Sequence, residues 1–436
     1  MRGPHARVSI VVLGLAGCAT YAPLPLPDDA DLAREVSLAP AEGGYDIDAI
    51  ATLAVLRNPD LEAARAKAGI AKAQAFATHL LPDPQFNASF DHPTGSGSGL
   101  VDAYVVGLSV DAQALLTHGE RSSAARTAYD QAKLDVLWQE WQTVARARTL
   151  YVGSTFDREK QRFLADLVAT YAARAERSQQ ALRTGDLSID QPASDLALLA
   201  DAQRQLGNAE RATSTAELGL RALLGLAADA SLPLRPIDAP TLPTHDDVAA
   251  ALEHLTQSRP DLRALQAGYA SQEHSLHAAI LTQFPNIAIG FNSARDTSSV
   301  NTLGAGVTLN LPIFDGGHGE IAIQRATREQ LRVTYQARLD QAVSDAWQLW
   351  NDMQSLSRDV AQAEAMLPAN RAAIDRARIA YQAHDLSATA YATLLASYAT
   401  DRTALIDLRT SLWNDAIALA TLLGTQVEPM GADAGR

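Results

Sequence analysis

One cysteine, ten histidines and 50 acidic side chains are the groups of this 436-residue chain whose chemistry has to be judged first. A lone thiol, Cys18, closes no internal disulfide and builds no thiolate cluster for zinc or iron–sulfur. His274 and His277 stand at i, i+3 in a helical stretch, with His254, Asp246 and Asp247 upstream. Those are donor types that a metal uses, but they also describe solvated residues on a helix face, which is how we read them. His118 and His318 sit at matching strand-to-helix turns and read as local backbone partners. The turn Gly316-Gly317-His318-Gly319 lacks the Lys-Ser/Thr that a phosphate loop requires. Neither a Ser/His/Asp order nor a zinc-protease motif nor paired carboxylates on a pocket loop emerges. The expectation is a protein that is not an enzyme and that needs no cofactor or metal.

Charge and composition narrow the partners. With 36 basic against 50 acidic side chains the net charge is −14, and no window is strongly basic, so nucleic acid is not expected to bind. Apolar types at 47% exclude disorder, while aromatics at 6% and Ala at about one residue in five favour long helices.

The position of Cys18 explains it. Arg2 and Arg7 form a short basic region, and Val8 to Ala16 is an apolar stretch too short to span a bilayer, which together read as an export signal. Leu15-Ala16-Gly17-Cys18 resembles a bacterial lipoprotein lipobox. That resemblance implies that residues 1–17 are removed and that Cys18 carries the lipid. Ala19 in second place resembles lipoproteins sent on to the outer membrane. Past the signal no run of about 18 apolar residues occurs, so any membrane crossing needs a closed β-barrel.

Internal repeats decide the architecture. Asn58-Pro59-Asp60-Leu61 returns as Arg259-Pro260-Asp261-Leu262, and Pro84-Gln85-Phe86 as Pro285-Asn286-Ile287, both at an offset of 201. Gly107-Leu108-Ser109-Val110 matches Gly306-Val307-Thr308-Leu309 at 199, and His118-Gly119-Glu120 matches His318-Gly319-Glu320 at 200. Asp186-Leu187-Ser188 matches Asp385-Leu386-Ser387, and Leu223-Leu224-Gly225 matches Leu422-Leu423-Gly424, again at 199. The chain is therefore read as an N-terminal segment 18–45, a first repeat 46–225, a Pro-rich junction 226–244, a second repeat 245–424 and a tail 425–436.

Within each repeat the hydrophobic period changes. A helical stretch, 48 to 80 in the first repeat, precedes a hairpin at 85–111 or 286–311. In the hairpins Phe86, Ala88, Phe90, Tyr104, Val106, Leu108 and Val110, then Ile287, Ile289, Phe291, Leu303, Ala305, Val307, Leu309 and Leu311, alternate with small or polar residues. A greasy face of this kind fits either a soluble core or lipid. Four strands are too few to close a barrel alone. Helix then resumes, from Glu120 to Thr184 in the first repeat, reverses at a turn (184–188 and 383–387) and returns. On the last helix Tyr391, Leu394, Tyr398, Asp401, Leu405, Leu408, Leu412, Asp415, Leu419 and Leu422 step at 3.5 residues, a coiled-coil seam. Asp401 and Asp415 interrupt it, either paired with Arg on a neighbouring helix or lining a channel.

The assembled features resemble the TolC-like outer membrane factors. The strand-to-helix run Gly306 to Gly317 and the turn Leu182 to Ser188 carry the resemblance locally, and the order of elements carries it over nearly the whole mature chain. It implies a mainly α chain of long antiparallel coiled-coil helices with four β-strands, three copies of which complete a 12-stranded barrel continued by a helical tunnel. It further implies a lipid-anchored location at the cell outer membrane, reaching into the periplasm, and a passive duct for efflux or type I secretion. The implied partners are a periplasmic adaptor and an inner-membrane pump. The adaptor would meet the turns Gly185, Asp186, Leu187, Ser188 and His384, Asp385, Leu386, Ser387. Two departures stand out: His384 replaces the family's usual Gly, and Ala388 to Leu395 lacks the acids that ring the aperture in many members. Asp190, Asp195 and Asp401 are the acids left as candidates for an aperture or channel lining. The alternative is a lipid-anchored helical scaffold without a pore, its hairpins packed on its own helices.

Overall fold

The computed structural model describes residues 20–36, 40, 42–95, 99–383 and 385–425. Cys18, His384 and the tail past residue 425 lie outside the described residues. Residues 20–32 form a separate unit of extended, exposed chain. The second unit begins at Ala33, so the expected segment 18–45 is divided between two units.

Local chemistry sets each element of that second unit. Helix α1 (Ile47–Arg57) starts where Asp46 accepts a hydrogen bond from the Ala49 amide, and it stops at Asn58. Asn58 then caps α2 (Pro59–His79) by accepting from Leu61 N–H at 2.9 Å, with Pro59 in the first turn where its missing N–H costs nothing. One helix over 48 to 80 was expected; the Asn-Pro pair makes it two. Strands β1 (Gln85–Asp91) and β2 (Ala103–Asp111) form the first hairpin. Helix α3 (Ala112–Thr184) follows at once, because Asp111 caps it through Ala114 N–H at 2.9 Å. It begins eight residues before the expected Glu120. At 73 residues it is about 110 Å long.

After the turn, α4 (Asp190–Leu223) returns and the junction crosses to α5 (His245–Glu253), α6 (Leu255–Ser258) and α7 (Pro260–Leu281). Thr244 and Asp247 make a reciprocal capping box at the start of α5. The second hairpin is β3 (Asn286–Arg295) and β4 (Asn301–Asn310), followed by α8 (His318–Gln382) and α9 (Ala388–Leu423). Here the helix starts later than in the first repeat. Pro312 has no N–H to give, and Gly316 and Gly317 occupy left-handed backbone at φ 56° and 72°.

The four strands make one antiparallel sheet in chain order, with β2 and β3 joining the repeats. Leu108 faces Phe291 and Ser109 faces Gly290, so every apolar residue singled out in the four strands shares one face; Leu311 lies just past β4. Among the described residues nothing covers that face: Phe86, Phe90, Phe291, Leu303 and Val307 are all more than 60% exposed.

The main core lies around the junction, where Ile50, Tyr151, Leu220, Met353, Trp413 and Ile417 come together. Side chains strap the junction down. Tyr151 Oη donates to Arg235 O at 2.7 Å, Trp413 Nε1 to Asp238 O at 2.8 Å and Trp350 Nε1 to Pro243 O at 3.2 Å. Burial pushes the Tyr151 phenol up to about 12, with Asp46 adding to it. A second core of Leu164, Leu167, Tyr171, Tyr391 and Leu395 serves the tip end.

The seam on α9 is only partly as expected. Leu405, Leu412 and Leu419 are buried, but toward the tip Leu394 is exposed while Leu395 and Ala399 are buried. The stripe turned inward there runs through Tyr391, Leu395 and Ala399, which pack on Leu164, Leu167 and Tyr171.

Candidate functional site: the helix tips

Helix α3 ends at Gly185, whose φ of 83° permits the Asp186 N–H to reach back to Ala181 O at 2.8 Å. Thr184 Oγ1 donates to the Asp186 carboxylate at 2.6 Å and fixes the turn. In the second tip Asp385 N–H reaches Ala380 O at the same 2.8 Å, and Ser387 caps α9 through Ala390 N–H. Ser188 caps nothing: α4 begins after Ile189 without a side-chain cap. The two duplicate serines therefore act differently.

Leu187 and Leu386, two of the residues expected to meet an adaptor, do not project. Both are half-buried and line one cleft between the tips, and Leu386 packs onto the tip core. The side chain that does project is Ile189, 69% exposed, which the sequence reading passed over. Its equivalent in the second tip, at an offset of 199, is Ala388.

Of the candidate acids, Asp195 is corrected. It is 2% exposed and accepts from Arg174 Nε at 2.7 Å, so its charge is neutralised between α3 and α4 and cannot line an opening as this chain stands. Arg174 also lies over the Tyr381 ring, which stacks on Tyr391 at 5.1 Å. Asp190 is exposed in the first turn of α4, where a helix N-terminus favours an anion. Asp401 is exposed and accepts from Asn370, not from an Arg, at 3.0 Å. Asp415 has no ion pair among the described residues, and burial beside Asp352 pushes its carboxyl up.

At the other end of α3, His274 Nδ1 and His277 Nδ1 lie 2.7 and 2.9 Å from the two oxygens of Glu120. Hydrogen bonding by His274, against some burial and with His277, holds the Glu120 carboxyl below its usual range. These histidines tie α7 to α3. Among the described residues no group of three or more His, Cys, Asp or Glu is placed to hold a metal ion, and no helix is long and apolar enough to cross a membrane.

Comparison with known proteins bears on the fold as a whole. Residues 251–425 match the family model of the outer membrane efflux protein. Protein CyaE of Bordetella pertussis is 28% identical over 73% of this chain and 68% of its own. The pyoverdine export outer membrane protein OpmQ of Pseudomonas aeruginosa is 26% identical over 79% and 77%. Among solved structures, the outer-membrane channel OprN has a TM-score of 0.75 at 16% identity, over 94% of this chain and 99% of that one. CusC gives 0.72 at 19%, over 94% and 100%, and the MtrE outer membrane channel of Neisseria gonorrhoeae gives 0.71 at 18%, over 93% and 98%. The efflux family model thus falls on the second repeat, and over nearly its whole length the chain has the fold of these outer-membrane channels.

Proposed function

We propose that three copies of this chain form a passive exit duct through the outer membrane, lipid-anchored at Cys18 and continued by its helices into the periplasm. The observation that carries the reading is the sheet. Its apolar face is uncovered, its other face is small and polar, and β1 and β4 have no second neighbour among the described residues. In lipid an open edge leaves backbone groups without partners, so closure into a barrel is required. The polar face, with Asn87, Ser109, Asn292 and Thr308, would then line a wet lumen. A pore-free scaffold would need those hairpins packed on the helices, and their exposure argues against it.

The tips are the surface we assign to a periplasmic adaptor, through Gly185 to Ser188, His384, and Asp385 to Ser387, with Ile189 as the apolar contact. An inner-membrane pump would deliver the cargo. The duct needs no catalytic group, and cargo choice belongs to the pump. The relatives support export as the activity, one of them being named for pyoverdine export.

The test is protein purified from outer membranes, measured by native mass and by conductance in a planar bilayer. A lipid-modified chain beginning at Cys18, a trimer and a conducting pore are expected. A stable monomer without conductance overturns the reading.

A further inference from the structure

The chain contains one repeat-to-repeat junction, and its internal duplication specifies the junction that is missing. Within the chain, β2 of the first repeat pairs with β3 of the second, Asp111 facing Ala288, Ser109 facing Gly290 and Leu108 facing Phe291. Strand β4 is the copy of β2 at an offset of 199, and β1 is the copy of β3 at 201. These are the two strands with a free edge.

The helices beneath repeat the pattern. α7 lies against both α3 and α8, whereas its copy α2 packs on α3 and leaves Ile70 and Phe76 at least 60% exposed. What α2 lacks is an α8, and the α8 of its own chain is already held by α7.

We infer that the free edge of β4 pairs antiparallel with β1 of a second copy of this chain in one register: Asn310 with Asn87, Leu309 with Ala88, Thr308 with Ser89, Val307 with Phe90 and Gly306 with Asp91. The inference rests on the trimeric reading above and gives it residue-level form.

Three features of the chain agree with this register. Each apolar residue meets an apolar one and each polar residue a polar one, or glycine, so both faces of the sheet continue across the boundary. Asn286 donates to the Asp111 carboxylate at 3.1 Å across the existing junction, and the copied positions place Gln85 beside Asn310, two amides that can make the same diagonal bond. The cross-strand row Asn87, Gly107, Asn292, Gly304, continued in this register, arrives on the next copy at the level of Pro93, six residues past Asn87 and just beyond the end of β1. Repeated over three copies and 12 strands, that stagger gives a strand tilt of about 45°, the value usual for membrane barrels.

Registers slipped by two residues are the competitors. The second hairpin is itself slipped by two relative to the first, Ile287 facing Leu309 where the copied pairing of Phe86 with Leu108 would place Val307. Cysteine pairs separate the possibilities in the full-length protein in its own membrane. Directly facing residues lie about 4.5–5.5 Å apart at Cα, within disulfide reach, while positions two residues off lie about 7–8 Å apart, beyond it.

After mild oxidation of outer membranes, Ser89→Cys with Thr308→Cys, and Ala88→Cys with Leu309→Cys, should give a ladder of covalent dimer and trimer. The single variants should give none. Ser89→Cys with Gly306→Cys or with Asn310→Cys should cross-link at least tenfold less. A ladder favouring either slipped pair overturns the register and leaves the trimer standing. A native trimer with no ladder from any pair overturns the pairing of these two edges. A native monomer overturns the trimeric reading itself.

Discussion

At the first tip a buried ion pair, Arg174 with Asp195, joins the outgoing and returning helices. At the duplicate positions of the second tip, an offset of 199 away, stand Ala373 and Leu394, and a Tyr381–Tyr391 stack does the joining. The helix joints differ in the same spirit. Asn58 closes the first as a neutral cap whose amide also donates to Leu223 O at 2.9 Å. In the second, Arg259 takes its place, pairs with Asp261 at 2.7 Å, lies over Trp138 and shares Asp261 with Arg338. The duplication kept the path of the backbone and let each copy solve its own burial problem. Equivalent positions should therefore fail differently when they are mutated.

The largest difference is expected at the tips. Asp195→Ala leaves the Arg174 guanidinium buried without its carboxylate, a change that costs about 3–5 kcal/mol. Its counterpart Leu394→Ala removes a side chain that is 43% exposed, and should cost under about 1 kcal/mol. Thermal unfolding of detergent-purified protein reads both. Equal losses would show that the charge pair is not what holds the first tip.

The sheet should behave symmetrically, because the duplicates Leu108 and Val307 lie on one face. Leu108→Arg and Val307→Arg should each cost about 2–4 kcal/mol near the middle of a bilayer, while Thr308→Lys on the polar face should assemble normally. Heat-resistant trimer in membranes is the measurement. If Val307→Arg and Thr308→Lys assemble equally well, the facing is wrong.

The joints differ in their response to acid. Burial works to raise the Asp261 carboxyl, but hydrogen bonds from Arg259 and Arg338 hold it below its ordinary value. A lowered folded-state value contributes stability that is complete above the unfolded carboxylate value of about 3.9 and is lost as pH falls through the folded one. Unfolding scans between pH 6 and pH 2 should therefore show a loss below about pH 4 that Asp261→Asn flattens. Asn58→Ala should cost about 1–2 kcal/mol with no such pH dependence. A loss unchanged by Asp261→Asn would place the acid sensitivity elsewhere.

The duplication, the facing of all four strands and the long helices were legible because each is a one-dimensional signal, an offset or a period. The start of α3 at Asp111 and the break at Asn58-Pro59 carried readable signals too, an Asp cap and an Asn-Pro pair, but a continuous helical period concealed them. The seam of α9 near the tip was not readable. In an Ala-rich helix two neighbouring stripes, through Leu394 or through Leu395, have almost the same hydrophobicity, and only contact with Leu164 and Tyr171 selects the second. The Arg174–Asp195 pair needed the geometry of the turn, since the two residues stand 21 positions apart with the whole reversal between them.

The smallest expected effect on stability, and the sharpest functional contrast, concerns what the tips expose. Leu187 and Leu386 are shared between the tips and line the same cleft, so charging them would disturb packing as well as any docked partner. Ile189 stands outside that packing, and its duplicate Ala388 offers little apolar surface. If the adaptor docks on the first tip through this side chain, Ile189→Asp should lower adaptor cross-linking and export at least tenfold, while trimer yield is unchanged and stability stays within about 0.5 kcal/mol of the parent. Ala388→Asp should leave export nearly unchanged. Equal loss from both variants would make the two tips equivalent docking sites, and loss of the trimer from Ile189→Asp would show that this residue packs against a neighbouring copy instead of an adaptor.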